Sequence, residues 1–172
     1  MKQETKQRIA ESFRDFRLPR YQEIPDVGLY LEQATKYIGS CLAPLGETTL
    51  TSSMISNYVK KGLIANPVKK QYSREQIAYL IFIAIAKSVL SLDALTAFIR
   101  LQQQTHQLSK AYDYFVQEFE SLLLFTFELS DTADMFPETS SDEKRLLYTC
   151  IIAAVQKVYL EKCLEAIAEE SR

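Results

Sequence analysis

Histidine occurs once in this 172-residue chain, at His106, and cysteine three times, at Cys41, Cys150 and Cys163. With no C-x-x-C pair, no H-E-x-x-H and no Gly-rich phosphate loop, the chain lacks the spacings of common metal and nucleotide sites. Three unpaired thiols read as buried groups in a reducing compartment rather than as a disulfide frame. Four glycines and five prolines leave little room for long disordered linkers. The longest apolar run, over 77–86, has ten residues, too few to span a bilayer. The opening MKQETKQRIAESF mixes both charges and has no apolar stretch of the signal-peptide kind. These absences point to a cytoplasmic protein that is not an enzyme, with no cofactor, no metal and no membrane segment. Asp113 and Glu118 come nearest to a catalytic carboxylate pair, and read as part of a solvated acidic helix.

A further absence is local. Residues 48–74 contain no acidic side chain, although the whole chain carries a net charge of −2. The same window holds Lys60, Lys61, Lys69, Lys70 and Arg74. A basic window on an acidic chain points to a polyanionic partner. Thr51 stands where an N-cap belongs, ahead of a helix predicted over 52–61. At 100° per residue, Met54, Ile55, Tyr58 and Val59 share an arc of ~140°. Ser52, Ser53, Ser56, Asn57, Lys60 and Lys61 fill the opposite ~180°. The first arc is a packing face. The second offers short donors and acceptors near the N-terminus and long cations at the end, an order suited to base edges and phosphates respectively. A solvated helix face reads the same way in outline, but would ordinarily include Glu.

Gly62 is placed to end this helix in the left-handed conformation. Pro67 bars a continuous helix, and Val68 and Tyr72 flank Lys69, Lys70 and Gln71, so a minimal β-hairpin with a basic tip is predicted. Ser73-Arg74-Glu75-Gln76 fits a capping box, opening a helix at Arg74 whose first amides and guanidinium make a second candidate phosphate site. The apolar residues that follow leave no polar face, so this helix is predicted to be the buried central strut.

On either side of this window the chain reads as helix. Ile9, Phe13 and Phe16 predict an amphipathic helix within 2–17. Its basic residues alternate with Glu4, Glu11 and Asp15 and read as a solvated face. Asp26 is placed to cap a helix carrying Leu29, Tyr30, Ala34, Tyr37, Ile38 and Cys41. Leu92, Leu95, Phe98, Ile99 and Leu101 mark another. Residues 111–143 hold nine acidic and no basic side chains, and would be repelled by DNA. Tyr112, Tyr114, Phe115, Phe119, Phe125 and Phe127 read as packed core. The FPETSSDE loop breaks the chain before a last helix over 142–168, whose apolar residues begin at Leu146 and whose stripe from Leu147 to Ile167 could pair with a second copy.

The run N-Y-V-K-K-G-L-I-x-x-P-x-K-K-x-Y-S-x-E-x-I-x-x-L over 57–80, followed by L-S-L-D-A-L, resembles the winged helix-turn-helix of MerR-type regulators. More specifically, residues 24–100 resemble a Gram-positive bacterial family catalogued as domain of unknown function 1836. The resemblance implies a mainly α fold: a MerR-like winged helix-turn-helix with a minimal hairpin wing, extended by a helical C-terminal body. It places Tyr58 and Lys60 on a recognition helix, Lys69, Lys70 and Tyr72 on the wing, and Arg74 at the start of the next helix. The chain departs from MerR proteins in its longer stretch before the recognition helix and in lacking a long dimerisation helix directly after L-S-L-D-A-L. It also lacks the metal-sensing cysteines typical of some members.

The organisation expected is an N-terminal helix and connection over 1–25, a winged module over 26–100, and an acidic helical region over 101–172. The function expected is sequence-specific recognition of double-stranded DNA by a homodimeric transcriptional regulator. Contacts would come from Thr51, Ser52, Ser53, Ser56, Asn57, Lys60, Lys61, Lys69, Lys70, Tyr72 and Arg74. The C-terminal region would be free for a small-molecule or protein effector. The alternative is a helical protein–protein adapter that keeps the winged module without binding DNA.

Overall fold

A computed structural model describes residues 1–46, 50–129 and 141–170. The chain is mainly helical, with one small two-stranded antiparallel sheet. The helices are α1 (Gln3–Phe13), α2 (Leu31–Leu42), α3 (Ser52–Lys60), α4 (Arg74–Ala86), α5 (Leu92–Thr105), α6 (Leu108–Thr126) and α7 (Asp142–Glu170). Strands β1 (Leu29–Tyr30) and β2 (Gln71–Tyr72) pair Leu29 with Tyr72 and Tyr30 with Gln71.

α4 is the strut the sequence predicts. Apart from Tyr79, every residue from Ile77 to Ala86 is buried, and the helix packs on α2, β2, α6 and α7. Its start is fixed by a reciprocal cap. Ser73 N–H donates to Gln76 Oε1 at 2.8 Å, and Gln76 N–H donates to Ser73 Oγ at 3.4 Å. The longest helices, α6 and α7, pack along each other. Tyr112, Phe115 and Phe119 of α6 and Phe127 just after it join the core, with the Phe82 and Phe115 rings edge-to-face at 5.2 Å and the Phe82 and Phe98 rings stacked at 5.5 Å, whereas Tyr114 is half-buried outside the cluster and Phe125 is exposed. One buried cluster runs from Phe13 to Val158 and is continuous across the boundaries drawn at residues 25 and 100.

Several local expectations are corrected. α1 stops at Phe13, and Phe16 reaches the core from the turn that follows. Asp26 caps no helix: Leu29 and Tyr30 are strand, and α2 begins at Leu31, with Gln33 Oε1 accepting from Tyr30 N–H at 2.9 Å. Gly28 makes that strand pairing possible, because a Cβ there would lie 2.7 Å from Gln71 Cβ. The acidic residues of α6 are not all solvated. Asp113 accepts from Tyr21 N–H at 2.7 Å; Glu120 accepts from Leu18 N–H at 2.7 Å and from Arg20 Nη2 at 2.8 Å. These carboxylates hold the extended connection against the body by satisfying its backbone donors. On α7, Cys150, Ile151, Ala154, Val155 and Val158 are buried as expected, whereas Leu146, Leu164 and Ile167 face outward together with Leu160. Most of the FPETSSDE loop, including Pro137, lies outside the described residues.

Candidate nucleic-acid interface

α3 is built from both its ends. Thr51 Oγ1 accepts from Met54 N–H at 3.2 Å, the N-cap its sequence predicts. At the other end Gly62, at φ +71°, closes a Schellman turn. Leu63 N–H donates to Tyr58 O at 2.9 Å and Gly62 N–H to Val59 O at 3.0 Å. That closure turns Leu63 and Ile64 back into the core. Ile55 and Tyr58 are buried and Met54 and Val59 half-buried, so the packing arc is the one the periodicity marks.

The opposite arc is open to solvent. Ser53, Ser56, Asn57, Lys60 and Lys61 are exposed. Ser56 Oγ donates to Ser52 O at 2.9 Å, which leaves its lone pairs outward. Ser52 is drawn aside: its hydroxyl lies 3.3 Å from Thr35 Oγ1 and tethers α3 to α2. Thr51 is exposed, but its hydroxyl oxygen is occupied as a cap. No ion pair joins Lys60, Lys61, Lys69 or Lys70 to a described residue. The N-terminal arginines differ. Arg8, Arg14 and Arg17 each pair with a glutamate in largely exposed pairs, as a solvated face would, whereas Arg20 pairs with Glu120, whose side chain is 13% exposed.

The hairpin has a two-residue tip. Gln71 N–H donates to Val68 O at 2.9 Å, and Val68 bridges Gln71 antiparallel. Between them Lys69 and Lys70 both carry positive φ, +50° and +64°. That is the backbone of a type I′ turn, which strongly favours Asn-Gly or Gly-Gly. A side chain in the left-handed region costs roughly 1–2 kcal/mol per residue. Two lysines therefore occupy positions that local conformation disfavours. They are exposed, beside a Val68 that is 73% exposed.

Two residues expected at this surface point inward instead. Tyr72 is 4% exposed, because alternation along β2 sends it to the core. The Arg74 side chain is only 18% exposed. Its Nε donates to Ile24 O at 2.9 Å and its Nη1 to Gln22 Oε1 at 3.0 Å, and its guanidinium lies over the Tyr21 ring at 5.8 Å. Arg74 thus fastens residues 21–24 to the start of α4 and is not a free cation.

A residue the sequence marks only as a cap proves to organise the loop. Gln76 is 8% exposed, and its Nε2 donates to Ala65 O at 2.7 Å while its Oε1 accepts from Ser73 N–H. One amide thereby ties the chain leaving α3 to the chain entering α4, and sets the base from which the hairpin projects. S-x-x-Q signals the cap; nothing in the sequence signals the bond to Ala65.

The thiols take no part in this surface. Burial pushes Cys150 up to about 11 and holds Cys41 above its ordinary value, so neither supplies appreciable thiolate near neutrality. Among the described residues no group of His, Cys, Asp or Glu is placed to hold a metal ion, and no helix is long and apolar enough to cross a membrane.

The family described as a domain of unknown function (DUF1836) matches residues 19–115, more than half of the chain. The match takes in β1, α2, α3, β2, α4, α5 and the start of α6. No curated protein matches the chain, and no solved structure does.

Proposed function

This chain belongs to the DUF1836 family, and we propose that it is a sequence-specific regulator that binds double-stranded DNA through α3 and the 68–71 hairpin. In this reading α2 and α3 are a helix-turn-helix, β1, β2 and the hairpin tip form a MerR-like wing, and α3 lies in the major groove. The observation that carries it is the wing tip. Lys69 and Lys70 hold left-handed backbone where Asn-Gly would be comfortable, so charge at that point is favoured over conformational ease. Backbone outliers of this kind concentrate at functional sites. The acid-free face of α3 adds Ser53, Ser56 and Asn57 for base edges and Lys60 and Lys61 for phosphates.

With Arg74 engaged internally, four lysines remain per chain. A salt titration on duplex DNA should give a log–log slope of about −3 to −4 for each chain bound, and random duplex should compete poorly against the protein's own promoter. A slope near zero, or equal competition by any duplex, removes the reading. Asn57→Ala should relax sequence preference at one position of the site at a cost of ~1–3 kcal/mol. Uniform weakening on all sequences would instead assign Asn57 to positioning.

Two copies would read two half-sites. The outward row of Leu146, Leu160, Leu164 and Ile167 on α7 offers an apolar seam for the second copy. Light scattering should then report twice the chain mass, and Leu160→Asp with Leu164→Asp should return it to the single-chain value. The same seam favours the adapter reading if the protein proves monomeric and indifferent to DNA.

A further inference from the structure

We propose that the cleft between α5, α6 and α7 binds an amphipathic monocarboxylate, with its apolar body inside and its carboxylate at the rim. The cleft encloses about 320 Å³ and is walled by Phe98, Leu101, Ala111, Tyr114 and Leu147. A smaller chamber of about 50 Å³ continues from it, shares Phe98, Ala111 and Leu147, and ends against Phe82 and Phe115. A volume of this size with mainly apolar walls and few polar groups is that of a small-molecule site.

The polar groups give the ligand its orientation. Inside, Gln102 is already satisfied: its Oε1 accepts from Tyr79 Oη at 2.8 Å and its Nε2 donates to His106 O at 2.9 Å. Gln102 therefore asks for no polar ligand atom, and the one polar atom left open in the chamber lining is the buried Tyr112 hydroxyl, which has no partner among the described residues. The rim carries Lys110 and Lys144, neither paired with a carboxylate of a described residue. Lys144 Nζ stands 5.3 Å above the Tyr114 ring, at the cleft wall. Lys110 occupies the first turn of α6, which holds no acidic residue, although a cation is disfavoured at that end of a helix. The one rim carboxylate, Glu143, accepts from the Ser141 hydroxyl, which favours its ionised form, so the two lysines outnumber one anion and leave the rim net positive. Two cations over an apolar cleft select an anionic head on a body of roughly ten carbons, alkyl or aryl. This site is independent of the DNA reading and stands or falls separately.

The test is calorimetric titration of the full chain with decanoate and 1-naphthoate below their aggregation limits, beside decanol and decylammonium. At least one carboxylate should bind about tenfold or more tightly than either control. Lys110→Gln with Lys144→Gln, two exposed substitutions, should abolish that preference while leaving decanol unchanged. Ala111→Trp, which fills the cleft, should remove binding of all four. The proposal is overturned if neither carboxylate binds, if both bind no better than decanol, or if the lysine pair can be neutralised without loss of preference.

Discussion

Replacing Lys69 and Lys70 together, Lys69→Asn with Lys70→Gly, should make the protein more stable and a poorer DNA binder. Both positions have left-handed backbone, +50° and +64°, which Asn and Gly adopt at least cost. Relief of the two strained lysines, offset in part by the greater freedom of glycine in the unfolded chain, should leave a net gain of about 1 kcal/mol. For a chain of this size that raises the melting temperature by roughly 2–4 °C. Binding moves the other way. If Lys69 and Lys70 each meet a phosphate, as proposed, their loss should flatten the salt slope by about 1.8 and weaken binding about 10- to 100-fold at 0.1 M salt, on every sequence alike. The two signs are what make the experiment decisive, since a damaged fold would lower both quantities together. Unchanged binding would take the hairpin out of the interface, and a fall in stability would contradict the strain at its tip.

The second large effect is expected at Gln76. Gln76→Leu keeps the bulk and the helix but removes the acceptor for Ser73 N–H and the donor to Ala65 O. Both orphaned groups lie beside exposed residues, where water can partly replace the lost partner. The loss is therefore about 1–3 kcal/mol rather than the sum of two fully buried penalties. Denaturant unfolding should show a lower midpoint with an unchanged slope. DNA affinity should fall as well, because residues 65–73 lose the tie that fixes the hairpin relative to α3. Gln76→Glu, which keeps the acceptor and loses the donor, should fall between the two. A midpoint equal to the parent's would show that the amide is not the tie the geometry describes.

How far the sequence carries can be judged from these residues. α3, its Thr51 cap, its Gly62 closure and its two faces follow from local periodicity and capping, whose determinants lie within four or five positions of one another. α4 is legible for a similar reason: an unbroken apolar run after S-x-x-Q admits few arrangements other than a capped, buried helix. What sequence reading misses depends on partners far along the chain. Arg74 looks like a phosphate ligand until residues 22 and 24, some 50 positions earlier, are seen to take its guanidinium. Asp113, read as part of a solvated acidic helix, and Glu120 two turns on both prove to be taken up by the bare N–H groups that the connection at 18–21 brings to them. Tyr72 reads as a wing residue, but in a strand of two residues the facing of each side chain depends on register, which Gly28 sets across the sheet. The outward row on α7 is apolar enough to pass for core, and only packing against α6 decides which side is buried.

The ion pairs add little to this account. Arg8–Glu169, Arg14–Glu11 and Arg17–Glu23 are largely exposed, and pairs of that kind contribute from nothing to about 1 kcal/mol. Their value is that they neutralise the N-terminal arginines. Lys60, Lys61, Lys69 and Lys70 have no such partner among the described residues, a property they share with Lys110 and Lys144; what sets the four apart is that residues 48–74 contain no acidic side chain.

The proposal that the open face of α3 and the lysine-tipped hairpin lie together along a duplex can be put to one experiment. It is tested most directly by recovering and sequencing the DNA crosslinked to the protein in cells that express it, with the Lys69→Asn, Lys70→Gly form in parallel. A shared sequence motif should be enriched by the parent chain and strongly depleted in the variant. Recovery no greater than from cells lacking the protein, or equal recovery by both forms, would contradict it.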